Sequence, residues 1–490
     1  MANSKLGKFL LDNTTTSQTI AKNTFWLSFG EITGRLLRVG LIFYAARVLG
    51  AAGYGVFSYM TSLAGILTIF ADLGLSGILI REGAKSEELR KTYFATSLFI
   101  KLIIVTGSFV VIILVAPLIT DIPLSRTLIY AVGLLIVFDS LRGFGNAIFR
   151  AEEQMQYEAG TSILTQIIIV AGGIYTLTFT PSPESLAISY ATGSAVGLII
   201  VSYLVRKYIR GVFKFFRKDL IVKILTAGWP IGFAAIFGGL LVNIDTVMIG
   251  WFLDADHVGY YAAAQKPIAF FYILPAFIVG SLFPVMARYA KSNKDKFREV
   301  MERGISTTIL LACPLVAGIV FNAHIIVGIV YGSEFLSAVL PLSILALSLL
   351  VTFPNTILVN AIFAYNRQRE MISAWIIGSL LNVSLNFLLI PILDLLGAAI
   401  TSLFTQLLIF AFFWHKMQKI NNFSMFRHTT SIIKATCLMI LWMLVLKAFG
   451  LPFTLVVLAS IFIYFGSLVL FKDPTLKESL AVINRHDIKH

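Results

Sequence analysis

Three charged residues, Glu31, Arg35 and Arg38, stand well inside a mostly apolar stretch, NTFWLSFGEITGRLLRVGLIFYAARVLG (23–50), whose fourth charge, Arg47, lies near its end. Spaced i, i+4 and i+7, they fall on one face of a helix, and Ser28 extends the stripe. A guanidinium can chelate phosphate oxygens through two parallel bonds, so two of them on one face would bind a phosphate or diphosphate. Glu31 then either exchanges partners with such a ligand or closes a permanent ion pair with Arg35. In both cases Arg38 has no partner on its own helix.

Other ionisable residues also fall within apolar runs, where each costs several kcal/mol on insertion scales and is a candidate for function. Lys266, beside Gln265, is a candidate second cation for the same cavity. Lys101 reads as a side chain snorkelling toward the inner surface. Asp72 is expected to be neutralised by Arg81 or by an arginine of the first apolar run. Asp245 and Asn243 together form a candidate ion-coupling site for Na⁺ or H⁺, with Asp72 as a second acid, although two ligands do not specify an ion. Asp139 and Arg142, at i and i+3, read as a local ion pair. Asn360, Asn382, Asn386, Gln166 and Gln406 read as hydrogen bonds between helices. Tyr44, Tyr54, Tyr59, Trp251, Tyr260 and Tyr261 read as an interfacial aromatic belt, with sugar stacking as the other use of such rings.

The elements that must hold these residues follow from composition. Of 490 residues 58% are hydrophobic and 13% charged, and the mean hydropathy is +0.86. This is a polytopic membrane protein, all-α, because only helices and closed barrels satisfy their backbone groups in hydrocarbon. Apolar runs long enough to cross fall at 22–46, 54–80, 92–118, 126–149, 158–179, 185–205, 222–251, 259–287, 304–322, 336–364, 371–390, 396–415, 430–448 and 452–471. They are numbered here as spans 1 to 14.

The net charge of +14 would raise the question of nucleic acid in a soluble chain. Here it sets orientation. With the N-terminus assigned to the cytoplasm, 32 of the 39 Lys and Arg fall on that side, and the outer loops keep only Arg47, Arg126 and Lys447. One missed span would have scrambled this alternation, so an even count with both termini inside is expected. The polar start, residues 1–19, lacks the apolar core of a signal peptide and is expected to be retained.

Residues 48–67 align without a gap on 252–271, matching Leu49 with Leu253, Ala51 with Ala255 and Gly55 with Gly259. Both are the outer turn that opens a six-span block, so the chain reads as two parallel-repeat bundles around a central cleft. The expected organisation is a cytoplasmic segment 1–21, a six-helix bundle 22–205, a basic linker 206–221, a second six-helix bundle 222–415, two extra C-terminal helices 430–471 and a cytoplasmic tail 472–490. The linker's cations read as contacts to anionic headgroups.

Several function classes are excluded or disfavoured. No loop exceeds roughly 20 residues, which leaves no room for a soluble catalytic domain and argues against an enzyme. No GxxxxGK[ST] or HExxH motif is present, the six histidines are scattered, and Cys313 and Cys437 both lie in apolar runs. No cofactor, metal site or disulfide framework is therefore expected.

The chain resembles the polysaccharide-transport or oligosaccharide flippase family, which shares a superfamily with MATE exporters and the lipid II flippase. The resemblance runs over about residues 20–415. It rests on the opening stretch quoted above, on IFADLGLSGILIREGAK and FRAEEQMQYEA, and on LLNVSLNFLLIPILDLLGAAITS with Asn382, Asn386, Pro391 and Gly397. It implies a flippase that moves a polyprenyl-diphosphate-linked oligosaccharide from the inner to the outer leaflet of the cell membrane by alternating access. The implied partners are that lipid-linked oligosaccharide, membrane lipids and polysaccharide assembly proteins, with no nucleic acid. The competing class is an H⁺- or Na⁺-coupled exporter of small molecules with the same fold, driven through Asp245 or Glu31.

Overall fold

The structure, a computed structural model, describes residues 16–425 and 429–476, so most of the expected N-terminal segment and C-terminal tail lie outside the described residues. Every regular element among the described residues is helical. Twelve of these helices are long and apolar enough to cross a membrane. Two run 53 residues, Gln18–Phe70 and Gln368–Ile420. At 1.5 Å per residue each would measure about 80 Å, more than twice the hydrocarbon thickness. Non-helical backbone breaks them at Gly50 (φ 68°) and Asp394 (φ 50°), so each makes two crossings and the described residues hold about the fourteen expected.

The chain forms two compact units, one up to Ala262 and one from Ala263. The repeat divides the sequence at the basic linker, whereas packing keeps span 7 and the start of span 8 with the first six.

In the first unit, span 2 is interrupted. Its helix stops at Phe70 and resumes as Leu75–Gly83, with Leu73 and Gly74 at positive φ. The break lies against glycines of span 7, Leu220–Phe252. A Cβ at Gly74 would meet the Gly228 carbonyl oxygen at 2.3 Å, and one at Gly232 would meet Leu73 backbone at 2.7 Å. Only glycine allows this approach and the left-handed backbone together.

The repeat motif is visible in the same unit. A Cβ at Gly55 would lie 1.7 Å from the Ala255 carbonyl oxygen, and one at Gly259 would lie 2.1 Å from that of Ala51. The residues matched in sequence are thus matched in contact. This packing also corrects the aromatic belt: Tyr54, Tyr59 and Tyr261 are fully buried, because the outer turns close on them instead of presenting them to an interface.

At the end of the first unit where the basic residues cluster, Arg90 ties three segments together. Its guanidinium donates to the Gly83 carbonyl at 2.9 Å, to Glu152 Oε1 at 2.9 Å and to the Tyr208 hydroxyl at 3.0 Å. Lys207 Nζ reaches the same carboxylate at 2.7 Å. Burial pushes the Glu152 carboxyl up, but hydrogen bonds from Lys207 and Tyr208 and the charges of Lys207 and Arg90 outweigh it and hold the group below the usual carboxylate range. A depressed carboxyl stabilises the fold above its unfolded pKa, and that contribution is lost as pH falls through the folded value. Glu152→Gln is therefore expected to lower stability by about 1–3 kcal/mol at neutral pH. Thermal unfolding in detergent should show the gap start to narrow as pH falls through the ordinary glutamate value of about 4.3 and close only below the depressed value of the folded carboxyl.

In the second unit, spans 13 and 14 (Thr430–Ala448 and Phe453–Leu470) pack on span 9, Lys294–Val330. The Tyr464 hydroxyl donates to the Leu310 carbonyl at 2.8 Å and Asn322 Nδ2 to Met443 Sδ at 3.2 Å. Asn386 donates to Asn382 Oδ1 at 3.1 Å, both fully buried in the helix Gln368–Ile420.

Candidate functional site

Span 1 carries small residues four apart, Gly30 and Gly34, and these set its distance from span 5, Met155–Phe179. A Cβ at Gly30 would be 3.0 Å from Ala159 Cα, and one at Gly34 would be 3.4 Å from Gln166 Cγ. This is the small-xxx-small approach of membrane helices, in which backbone proximity replaces the hydrophobic drive that water supplies to soluble bundles. It brings Gln166 Oε1 to 3.3 Å from Arg38 Nε, which donates to it. Arg38 forms no ion pair among the described residues.

The expected stripe therefore divides. Arg35 Nε donates to Glu31 Oε1 at 2.7 Å, the pair remaining about half exposed, while Arg38 turns toward span 5. There it lines a cavity of about 260 Å³ together with Thr61, Thr68, Asp139, Gln166, Tyr190 and Ser194. A second cavity of about 260 Å³ shares Thr68 and Asp139 and adds Asp72, Lys101, Asn146 and Arg150. Both spaces have polar side chains in their walls, and Ser140 Oγ and Asn146 Oδ1, which line the second, are buried without a hydrogen-bond partner among the described residues, a setting suited to water or a polar ligand group.

Two expectations are corrected here. Asp72 is paired with neither Arg81 nor an arginine of span 1. Lys101 Nζ donates to Asp72 Oδ1 at 2.9 Å, and Ser76 Oγ donates to the same oxygen at 2.6 Å. Lys101 is 1% exposed and does not snorkel, because the break at residues 71–74 brings a carboxylate to it. Arg81 turns instead to Glu82 at 2.9 Å. The expected Asp139–Arg142 pair is present at 2.5 Å.

Asp245 and Asn243 do not converge. Two residues apart, they point about 200° from each other around the helix. Asp245 is buried and accepts from the Tyr261 hydroxyl at 2.8 Å. Asn243 donates to the Gly239 carbonyl at 3.1 Å and packs against Gly65 of span 2. Lys266 is half-buried in the helix Ala255–Phe271, in the part that belongs to the second unit. Sequence reasoning missed Gln166 as the partner of Arg38, and Tyr190 and Ser194 as its surroundings. The pairing of Gly30 with Gly34 was the available signal.

The repeat extends further than the outer turns and sharpens the asymmetry of the site. At the same offset of 204, Phe29 matches Phe233, Gly34 matches Gly238, and Leu36 and Leu37 match Leu240 and Leu241. Glu31, Arg35 and Arg38 instead align with Ala235, Gly239 and Val242. Span 7 keeps the helix and drops the charges.

Residues 20–290 match the family described as polysaccharide biosynthesis protein. The chain belongs to that family. Residues 230–388 also match the MatE family. Among curated relatives, a probable low-salt glycan biosynthesis flippase, Agl15, of Haloferax volcanii is 26% identical, the alignment covering 78% of this chain and 80% of the relative. A putative O-antigen transporter of Shigella flexneri is 25% identical over 60% of this chain and 71% of its own length. The fold is that of the lipid II flippase MurJ in an inward closed conformation, with a TM-score of 0.74 over 93% of this chain and 99% of that one, at 16% identity. An inward-facing multidrug resistance MATE transporter shares it at a TM-score of 0.61, covering 79% of this chain and 98% of that one, also at 16% identity.

Proposed function

We propose that this membrane protein is a flippase, not an enzyme, and that it carries a polyprenyl-diphosphate-linked oligosaccharide from the inner to the outer leaflet of the cell membrane by alternating access. Both termini are cytoplasmic in this reading, as the bias of Lys and Arg supports. Arg38 carries the proposal: a span-1 arginine with no carboxylate partner among the described residues, donating to a neutral amide at the wall of a polar cavity. Such a group is ready for an anion, whereas a permanently paired one must first break a bond. Arg35 supplies a second cation once Glu31 releases it. The prenyl tail stays in lipid throughout, and the product feeds polysaccharide assembly proteins. The names of the relatives, glycan flippase and O-antigen transporter, support the substrate class.

An anionic headgroup that moves outward against an inside-negative potential gains roughly 2.3 kcal/mol per charge per 100 mV, so the potential alone can give direction. The MatE match and buried Asp245 favour one alternative, an ion-coupled exporter of small molecules. Proteoliposomes separate the two. The flippase reading expects a fluorescent lipid-linked oligosaccharide to change leaflet, faster under an imposed potential. Uptake of an organic cation driven by a Na⁺ or H⁺ gradient, with no movement of the lipid-linked sugar, would establish the exporter instead.

A further inference from the structure

The segment between spans 6 and 7 joins two helices that end at Leu204 and start at Leu220. Its sequence, RKYIRGVFKFFRK (206–218), has six cations and no acid. It is docked on the first unit, not loosely tethered. Tyr208 is buried and its hydroxyl accepts from Arg90 at 3.0 Å. The Arg217 amide donates to Thr96 Oγ1 at 3.1 Å, and the Phe216 ring meets Phe99 edge-on at 5.1 Å.

This docking determines which side chains are left outside. Lys207 is taken by Glu152, but Arg206, Arg210, Lys214, Arg217 and Lys218 are exposed, and they form no ion pair among the described residues. Phe213 projects from among them at 89% exposure, more than any other large hydrophobic side chain described, with Ile209 also exposed. The turn that aims it begins at Gly211, at φ 72°.

We infer that this docked linker is a binding surface for the anionic phospholipid headgroups of the leaflet at its own side of the membrane, with Phe213 as an apolar anchor inserted between them. A polyanion in solution would be met by cations alone and would leave Phe213 in water. A bilayer surface takes both, and the two flanking spans hold the segment at that surface. Cations near an anionic leaflet gain from its surface potential, which decays within a Debye length and is therefore sensitive to salt.

The test places an environment-sensitive NBD label on Phe213→Cys in the full chain with Cys313→Ser and Cys437→Ser, reconstituted in vesicles containing doxyl-labelled lipid as quencher. With about 30% phosphatidylglycerol the label is expected to be quenched at least about twofold more than in phosphatidylcholine, and about 0.5 M NaCl should abolish the difference. Changing the five exposed cations to Gln should abolish it as well. If quenching is equal in both vesicles, or indifferent to salt, the linker has no anionic-lipid preference and the inference falls. The same holds if inorganic phosphate or an oligonucleotide protects the label better than the anionic vesicle does. Salt acts on the unaltered linker, so the result does not depend on how well the five-cation variant folds.

Discussion

Arg38→Ala is expected to reduce translocation of a lipid-linked oligosaccharide by about tenfold to a hundredfold while leaving expression and thermal stability close to wild type. The magnitude follows from hydrogen bonds to a charged group, about 1.5–3 kcal/mol each. Stability should change little because Arg38 holds only a 3.3 Å contact to Gln166, whose side chain also borders the cavity. Arg38→Lys keeps the charge but loses the planar fork, so it should restore part of the rate. Arg35→Ala should be milder, about threefold to tenfold, since Arg35 is already held by Glu31 at 2.7 Å and gains less on meeting an anion. The measurement is initial flipping rate in proteoliposomes against protein content. Full transport by both alanine variants would exclude a cation trap on span 1.

The difference between these two arginines marks where sequence reasoning reached its limit. That Glu31, Arg35 and Arg38 share a face is local arithmetic, readable from spacings of four and three, as were the spans and their alternating charge. That Arg38 leaves this face for Gln166 depends on a contact 128 residues away in sequence, set by Gly30 and Gly34 lying flat on span 5. The same reason explains the misread partner of Asp72. Arg81 is near in sequence and seemed sufficient, but the backbone turns at Leu73 and Gly74 because the glycines of span 7 admit it there, and this turn hands the carboxylate to Lys101. Periodicity cannot show a turn that exists only because another helix is smooth. The buried tyrosines are a third case, since only the packed outer turns distinguish a core tyrosine from an interfacial one.

The Asp72–Lys101 pair is expected to respond unequally to loss of either partner, and the inequality tests the geometry. Asp72→Ala leaves an ammonium that is 1% exposed without its carboxylate. Breaking a buried pair from one side costs about 3–5 kcal/mol, and the stranded cation, 1% exposed although it borders the cavity, is far less open to solvation than the carboxylate, so this variant should express poorly and unfold at markedly lower temperature. Lys101→Met leaves Asp72 instead, which is about one-third exposed and faces the polar cavity with Ser76 still donating to it. The carboxylate can be solvated there, and the loss should stay near 1–2 kcal/mol. The double variant removes both charges and should recover most of what Asp72→Ala loses, a coupling visible in a double-mutant cycle of detergent unfolding. Equal damage from the two single variants would mean that the cavity beside Asp72 holds no water. No recovery in the double variant would mean that Lys101 answers to a charge other than Asp72.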